Sequence, residues 1–194
     1  MKKAIIISIA LYCATCLKAQ MAWDSLTTNN SGLPANTVNQ IYQDSKGNMW
    51  FSTEGGGLIM FDNKNWKTYT TKDGLASDYV LDVFEDSKHN YWINYAYYWN
   101  LGITKYDGSK WETFNKKNKL SSNAVMQMYD YSKGTMWFLC NPYDSAGITS
   151  FDGKIWKTYS TKDGLSSNWI DNIYEDAGNN IWLKGYAIDR KSVV

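Results

Sequence analysis

The sequence predicts an all-β fold, a β-propeller of four four-stranded repeats of 42 to 45 residues, and three observations predict it. The first is a pair of tryptophan series in phase. Trp50, Trp92, Trp137 and Trp182 stand 42, 45 and 45 residues apart, and Trp23, Trp66, Trp111 and Trp156 stand 43, 45 and 45 apart, by difference of their numbers. Two series sharing one period mark a repeat architecture. The second is the content of each period. Four short strand-like runs alternate with turn residues, with no helical periodicity after residue 20, which fits propeller blades and neither leucine-rich nor helical repeats. The third is composition: 10 Trp, 15 Tyr and 6 Phe against 2 Pro in 194 residues, a set that favours pleated, half-buried surfaces.

Each repeat opens on a Trp-x-x-aromatic or aliphatic strand, near Trp23 to Leu26, Trp66 to Tyr69, Trp111 to Phe114 and Trp156 to Tyr159. A polar connection follows, with Gly-Leu and a small-polar turn in three repeats and Lys119-Leu in the third, where loss of glycine predicts a local difference. The next strand runs from Val38, Val80, Val125 or Ile170 and ends in a tight turn, Asp44-Ser-Lys-Gly-Asn48 in the first repeat. Asp, Asn and Gly there cap their own backbone and accept turn geometry. The third strand carries the marker tryptophan, and the fourth is Leu58 to Phe61, Ile103 to Tyr106 or Ile148 to Phe151. The strand after the long connection is placed innermost and the Trp-x-x-Tyr strand outermost. In that frame Trp23 to Leu26 supplies the outer strand missing from the last blade. The alternatives are a small closed ring or part of a larger propeller, because the last repeat degenerates after Gly185 and an open arc exposes an apolar blade face.

Residues 1–19 read as a secretory signal peptide: Lys2 and Lys3, an apolar run from Ala4 to Leu11, and Leu17-Lys-Ala19 before Gln20. The mature domain is then 20–194, outside the cytoplasm, periplasmic or secreted, with no membrane span after cleavage. A lipoprotein signal ending at Cys16 is the competing processing route. Cleavage after Ala19 removes Cys13 and Cys16 and leaves Cys140 without an intrachain partner. The formal net charge of +1 gives no attraction to nucleic acid or anionic membrane.

Gly32-Leu-Pro-Ala-Asn-Thr-Val38, Asp44-Ser-Lys-Gly-Asn-Met-Trp50 and Thr53-Glu-Gly-Gly-Gly-Leu-Ile-Met-Phe-Asp62 together resemble the two-component regulator propeller repeats of periplasmic sensor regions in hybrid histidine kinases of Bacteroidetes. The fourth repeat matches through Trp182, and the resemblance covers Trp23 to about Gly185. It implies recognition of polysaccharide breakdown products outside the cytoplasm. No immunoglobulin-like segment, transmembrane helix or kinase follows Val194, so a module without its own kinase part is expected.

The repeats diverge in the loop between the two middle strands, which shares a face with the connection into the inner strand because strand direction alternates. Tyr95, Tyr97, Tyr98 and Trp99 crowd that loop in the second repeat, Tyr143 lies on it in the third and Glu54 in the first. Aromatic faces beside Asn and Asp suit sugar rings, whose C–H faces stack while their hydroxyls take hydrogen bonds. The plain alternative is that these rings cover blade ends. Asp82 and Asp171, polar on inner strands, are candidates for the channel, or for solvated or backbone-bonded positions. An oligosaccharide ligand, and self-association that completes a propeller, are the expected partners. The turn aspartates Asp44, Asp86 and Asp176 lack the alternating acidic residues of a calcium loop and read as structural. His89 is the only histidine and sits in such a turn, so no His-based triad, metal site or cofactor is expected. The reading is therefore a binding module; its alternatives are a carboxylate-based propeller hydrolase or lyase using Glu54, Asp82, Asp144 and Asp171, and a truncated remnant of a larger sensor.

Overall fold

The computed structural model describes residues 25–95, 100–131, 134–141, 143 and 147–185. The first blade is the antiparallel sheet of β1 (Val38–Gln43), β2 (Met49–Thr53), β3 (Leu58–Phe61) and β4 (Trp66–Tyr69), ordered as in the chain. The second is β5 (Val80–Glu85), β6 (Tyr91–Tyr95), β7 (Ile103–Tyr106) and β8 (Trp111–Phe114). The third is β9 (Val125–Tyr131), β10 (Thr135–Cys140), β11 (Ile148–Phe151) and β12 (Trp156–Tyr159). The fourth repeat departs from expectation: among the described residues it is a two-stranded sheet, β13 (Ile170–Glu175) with β14 (Ile181–Gly185). Ser25 and Leu26 are not in a strand. Trp23, the expected signal segment 1–19 and the chain after Gly185 lie outside the described residues.

Every inner strand carries a register shift at its second residue, between Val38 and Gln40, Val80 and Asp82, Val125 and Gln127, and Ile170 and Asn172. Such bulges twist a strand and re-aim its side chains. The turn that follows shows why Asp, Asn and Trp recur at fixed offsets. The Asp44 carboxylate accepts from the amides of Lys46 and Asn48 and from the Trp50 indole at 2.9 Å. Asp86 does the same for Lys88, Asn90 and Trp92, and Asp176 for Gly178, Asn180 and Trp182. Burial pushes the Asp44 carboxyl up, but the bonds from Trp50, Asn48 and Tyr91 outweigh it and hold the group below its ordinary range. In the third repeat Tyr131 replaces the aspartate, and its hydroxyl instead donates to the Ile173 carbonyl of the fourth blade. These turns are structural, as read from the sequence.

Successive blades stack through three apolar clusters. Trp50, Leu58 and Tyr69 of the first blade meet Val80, Val83 and Tyr91 of the second, with Leu75 of the connection. Trp92, Ile103 and Phe114 meet Val125, Met136 and Phe138. Leu139 and Ile148 meet Ile170 and Ile173. A polar latch repeats at the rim of these seams. Glu85 closes β5 and accepts from the amide and hydroxyl of Ser45 in the preceding turn, at 2.6 and 2.8 Å, and Asp130 at the corresponding place accepts from the Ser87 amide.

The connections after outer strands also repeat. Asp73 caps Thr70, Asn118 caps Asn115 and Asp163 caps Ser160, each through the carboxylate or amide oxygen three residues on. Lys119 keeps this pattern, its amide bonded to the Asn115 carbonyl, without entering the left-handed region that Gly74 and Gly164 occupy. The expected local difference thus shows in the sign of φ, while the bond back to the start of the turn is kept. Cys140 is a buried free thiol at the end of β10, a small apolar residue as expected. Among the described residues no helix is long and apolar enough to cross a membrane.

Candidate functional site

One face of the arc gathers the loops between the middle strands and the connections into the inner strands. The Glu54 amide donates to the Thr37 carbonyl, Gly57 to Asp78, Gly102 to Asn123, and Asn141 to Ala124. Glu54 also forms an isolated antiparallel bridge with Tyr79. The shared face read from alternating strand direction is therefore present, and its variable residues meet there in pairs.

The pairs contain two aromatics that the sequence reading missed. Tyr79 precedes β5, lies exposed, and would sit 3.5 Å from a Cβ on Gly55, across the first seam. Trp169 precedes β13 and receives Tyr143 edge-on, with ring centroids 4.7 Å apart and 65° between planes, across the third seam. Tyr143 itself is 79% exposed. The signal was available in the repeat frame. Between an invariant Asn or Asp and the Val or Ile that opens the inner strand, the residues are Thr37, Tyr79, Ala124 and Trp169. That residue is free to vary because it leads the strand at the face and is not needed in a seam.

The other predicted residues are scattered. Glu54 is exposed at the rim of the first seam. Tyr95 is a correction: it ends β6 inside the core and not on the loop. Its hydroxyl donates to Thr104 Oγ1 at 2.8 Å and accepts from the Ala76 amide at 2.9 Å, and burial pushes its pKa up to about 12. Tyr97, Tyr98 and Trp99 lie outside the described residues, as does Asp144. Asp171 is half-buried and 3.3 Å from Lys184 Nζ, a neighbour on β14. Asp82 stands within β5, and its Oδ1 is buried without a hydrogen-bond partner.

Burial raises the Asp82 pKa against opposing bonds from the Val83 amide and Gln40. A carboxyl whose folded pKa is raised contributes stability below its unfolded value, near 4, and loses it as pH rises through the folded value. Asp82→Asn is therefore expected to gain stability relative to the wild type as pH goes from 4 to 7. Urea midpoints at both pH values check this, and an unchanged difference would mean that Asp82 ionises freely in the fold.

Among the described residues, no group of three or more His, Cys, Asp or Glu could hold a metal ion. Glu54, Asp82 and Asp171 lie on three different blades.

The sequence profile described as two component regulator propeller matches residues 32–55, the first repeat from Gly32 to Gly55. A search of curated proteins gives no match. Among solved structures, the chain is similar to the extracellular domain of a hybrid two component system of B. thetaiotaomicron. The two are 20% identical with a TM-score of 0.64, over 86% of this chain and 23% of that one. It is similar to PorZ, a surface component of the type-IX secretion system of Porphyromonas gingivalis, at 14% identity and TM-score 0.55, over 77% of this chain and 23% of the other. It is also similar to virginiamycin B lyase of Staphylococcus aureus, at 16% identity and TM-score 0.53, over 75% of this chain and 47% of that enzyme. Identities this low establish the fold, and the chain spans less than a quarter of the first two structures. The fold is thus an arc of propeller blades. Its first repeat matches the two component regulator propeller profile, in line with the resemblance.

Proposed function

We propose that the chain is a secreted or periplasmic sensor-type propeller module that binds a glycan on the face carrying Glu54, Tyr79, Tyr143 and Trp169. The observation that carries this reading is the Tyr143–Trp169 pair, an aromatic corner with one ring largely in water. Exposed aromatic area of this kind stacks against the C–H face of a pyranose, and Asn141, whose side chain accepts from the Tyr143 amide, supplies amide groups beside it for hydroxyls. Similarity to extracellular propeller domains of two component systems supports the same class of role, and their signalling partners belong to them. A hydrolytic or eliminating reaction finds less support, because Asp171, one of its candidate carboxylates, is paired with Lys184 at 3.3 Å.

Calorimetric titration of the mature chain with a panel of oligosaccharides tests the reading. A binding member is expected, and Tyr143→Ala is expected to weaken it by about tenfold or more, the loss seen for an aromatic anchor. Because Tyr143 is exposed, its unfolding midpoint should move little. Binding unchanged in Tyr143→Ala and Trp169→Ala would remove this face from the function, and capture of a protein instead of any sugar would replace the glycan reading.

A further inference from the structure

Aromatic residues stand at alternate seams of the binding face. At the first seam Tyr79 is 43% exposed, and its ring rests against Gly55, where an added Cβ would lie 3.5 Å from Cζ. The bridge between Tyr79 and Glu54 places an exposed acidic residue opposite it. At the third seam the exposed Tyr143 stands edge-on to the half-buried Trp169. Tyr79 and Trp169 hold one place in the repeat, the residue before the inner strand, and at the second seam that place is Ala124, 4% exposed.

One short turn delivers all three residues. The amides of Tyr79, Ala124 and Trp169 donate to the hydroxyls of Ser77, Ser122 and Ser167, each at 3.0 Å. The backbone that carries each ring is therefore fixed before a ligand arrives, which lowers the ordering cost of binding. Between the two aromatic platforms lie Asn123 and Asn141, tied to the second seam by the Gly102 amide bond to the Asn123 carbonyl and the Asn141 amide bond to the Ala124 carbonyl. Rings set apart with polar residues between them do not form the contiguous apolar area that a protein partner buries. They match a chain of pyranoses, stacked at intervals and hydrogen-bonded in between.

The first and third seams are two blades apart, and packed sheets lie about 10 Å from each other, so the platforms stand on the order of 20 Å apart, beyond the reach of one sugar unit. We infer that this face selects its ligand by length: an extended oligosaccharide occupies both platforms at once, whereas a mono- or disaccharide occupies them separately. The inference rests on the glycan reading above and adds to it the size of the ligand. Once one end of a long chain is seated, its second contact is intramolecular, which raises affinity over either contact alone by about 10²–10⁴-fold.

Calorimetric titration of the mature chain with xylo-, manno- and galacturono-oligosaccharides separated by chain length tests it. Within the series that binds, affinity is expected to step up by about a hundredfold or more once the chain spans both platforms, with one long chain bound per protein. Tyr79→Ala and Tyr143→Ala should each remove the step while leaving the weak binding of short members, and Tyr79→Phe, which keeps the ring, should retain it. Both tyrosines are exposed, so all three variants should keep the wild-type melt. Affinity that does not step with length, or a step that survives Tyr79→Ala or Tyr143→Ala, overturns the inference and leaves the glycan reading in place. Binding by no member of any series overturns the glycan reading and this inference with it.

Discussion

Trp92→Ala is expected to cost about 3–5 kcal/mol, the range for removing a large aromatic from a core. Its indole is fully buried and sits among Phe114, Phe138, Phe151 and Trp156, with centroids 5.1 to 6.1 Å away. Its Nε1 donates to Asp86 at 2.8 Å, so the substitution also removes a donor from the carboxylate that organises the turn. Trp182→Ala is the internal control. That residue fills the same place in the repeat and bonds Asp176 in the same way, but it is half exposed, so the apolar part of the loss shrinks. At about 2–4 °C per kcal/mol for a chain of this size, the two melting temperatures should separate by several degrees. Equal shifts would mean that the second and third blades do not stack as described.

The repeat frame made most of this architecture readable. Marker tryptophans, Asp-x-x-x-Asn-x-Trp turns and Gly-Leu connections are set by short-range hydrogen bonding, so a sequence carries them locally. Tyr95 was misplaced for the opposite reason. It opens a run of aromatics, Tyr95-Ala-Tyr-Tyr-Trp, that reads as one loop. Its repeat counterparts Thr53 and Cys140 are both buried, and that position accepts a far larger residue in the second blade because Thr104 accepts from its hydroxyl and the Ala76 amide donates to it. Such a volume exchange depends on neighbours distant in sequence, which periodicity does not report. Tyr79 and Trp169 were hidden differently, because an aromatic before a Val or Ile reads as the first residue of a strand. Only the pairing of Tyr79 with Glu54, and of Trp169 with Tyr143, reveals that they stand at the face. The two-stranded last sheet was legible only as trouble, since Gly185 is where the repeat loses its pattern.

Gly102→Ala should be among the most damaging single-methyl changes in the chain, and Gly47→Ala measures how much of its effect is steric. Both glycines have positive φ, 89° and 85°, so both substitutions carry the cost of an L side chain in the left-handed region, about 1–2 kcal/mol. A Cβ on Gly47 meets nothing within 4 Å, whereas one on Gly102 would lie 2.0 Å from the Phe114 carbonyl oxygen. That oxygen belongs to β8, which is hydrogen-bonded to β7, so relief requires moving the outer strand or giving up the Gly102 amide bond to Asn123. Overpacking of a fixed backbone adds about 1–3 kcal/mol, so Gly102→Ala should fall below Gly47→Ala by roughly 2 kcal/mol in urea unfolding. A Cβ on Gly57 or Gly147 would likewise lie 2.1 or 2.0 Å from the Tyr69 or Tyr159 carbonyl oxygen, which explains a glycine at this place in each complete blade. The loop before it carries the variable residues of the binding face, and the glycine lets that loop close against the outer strand while its side chains change. Equal losses at Gly102 and Gly47 would show that the outer strand yields freely and that the close approach does not hold the loop in place.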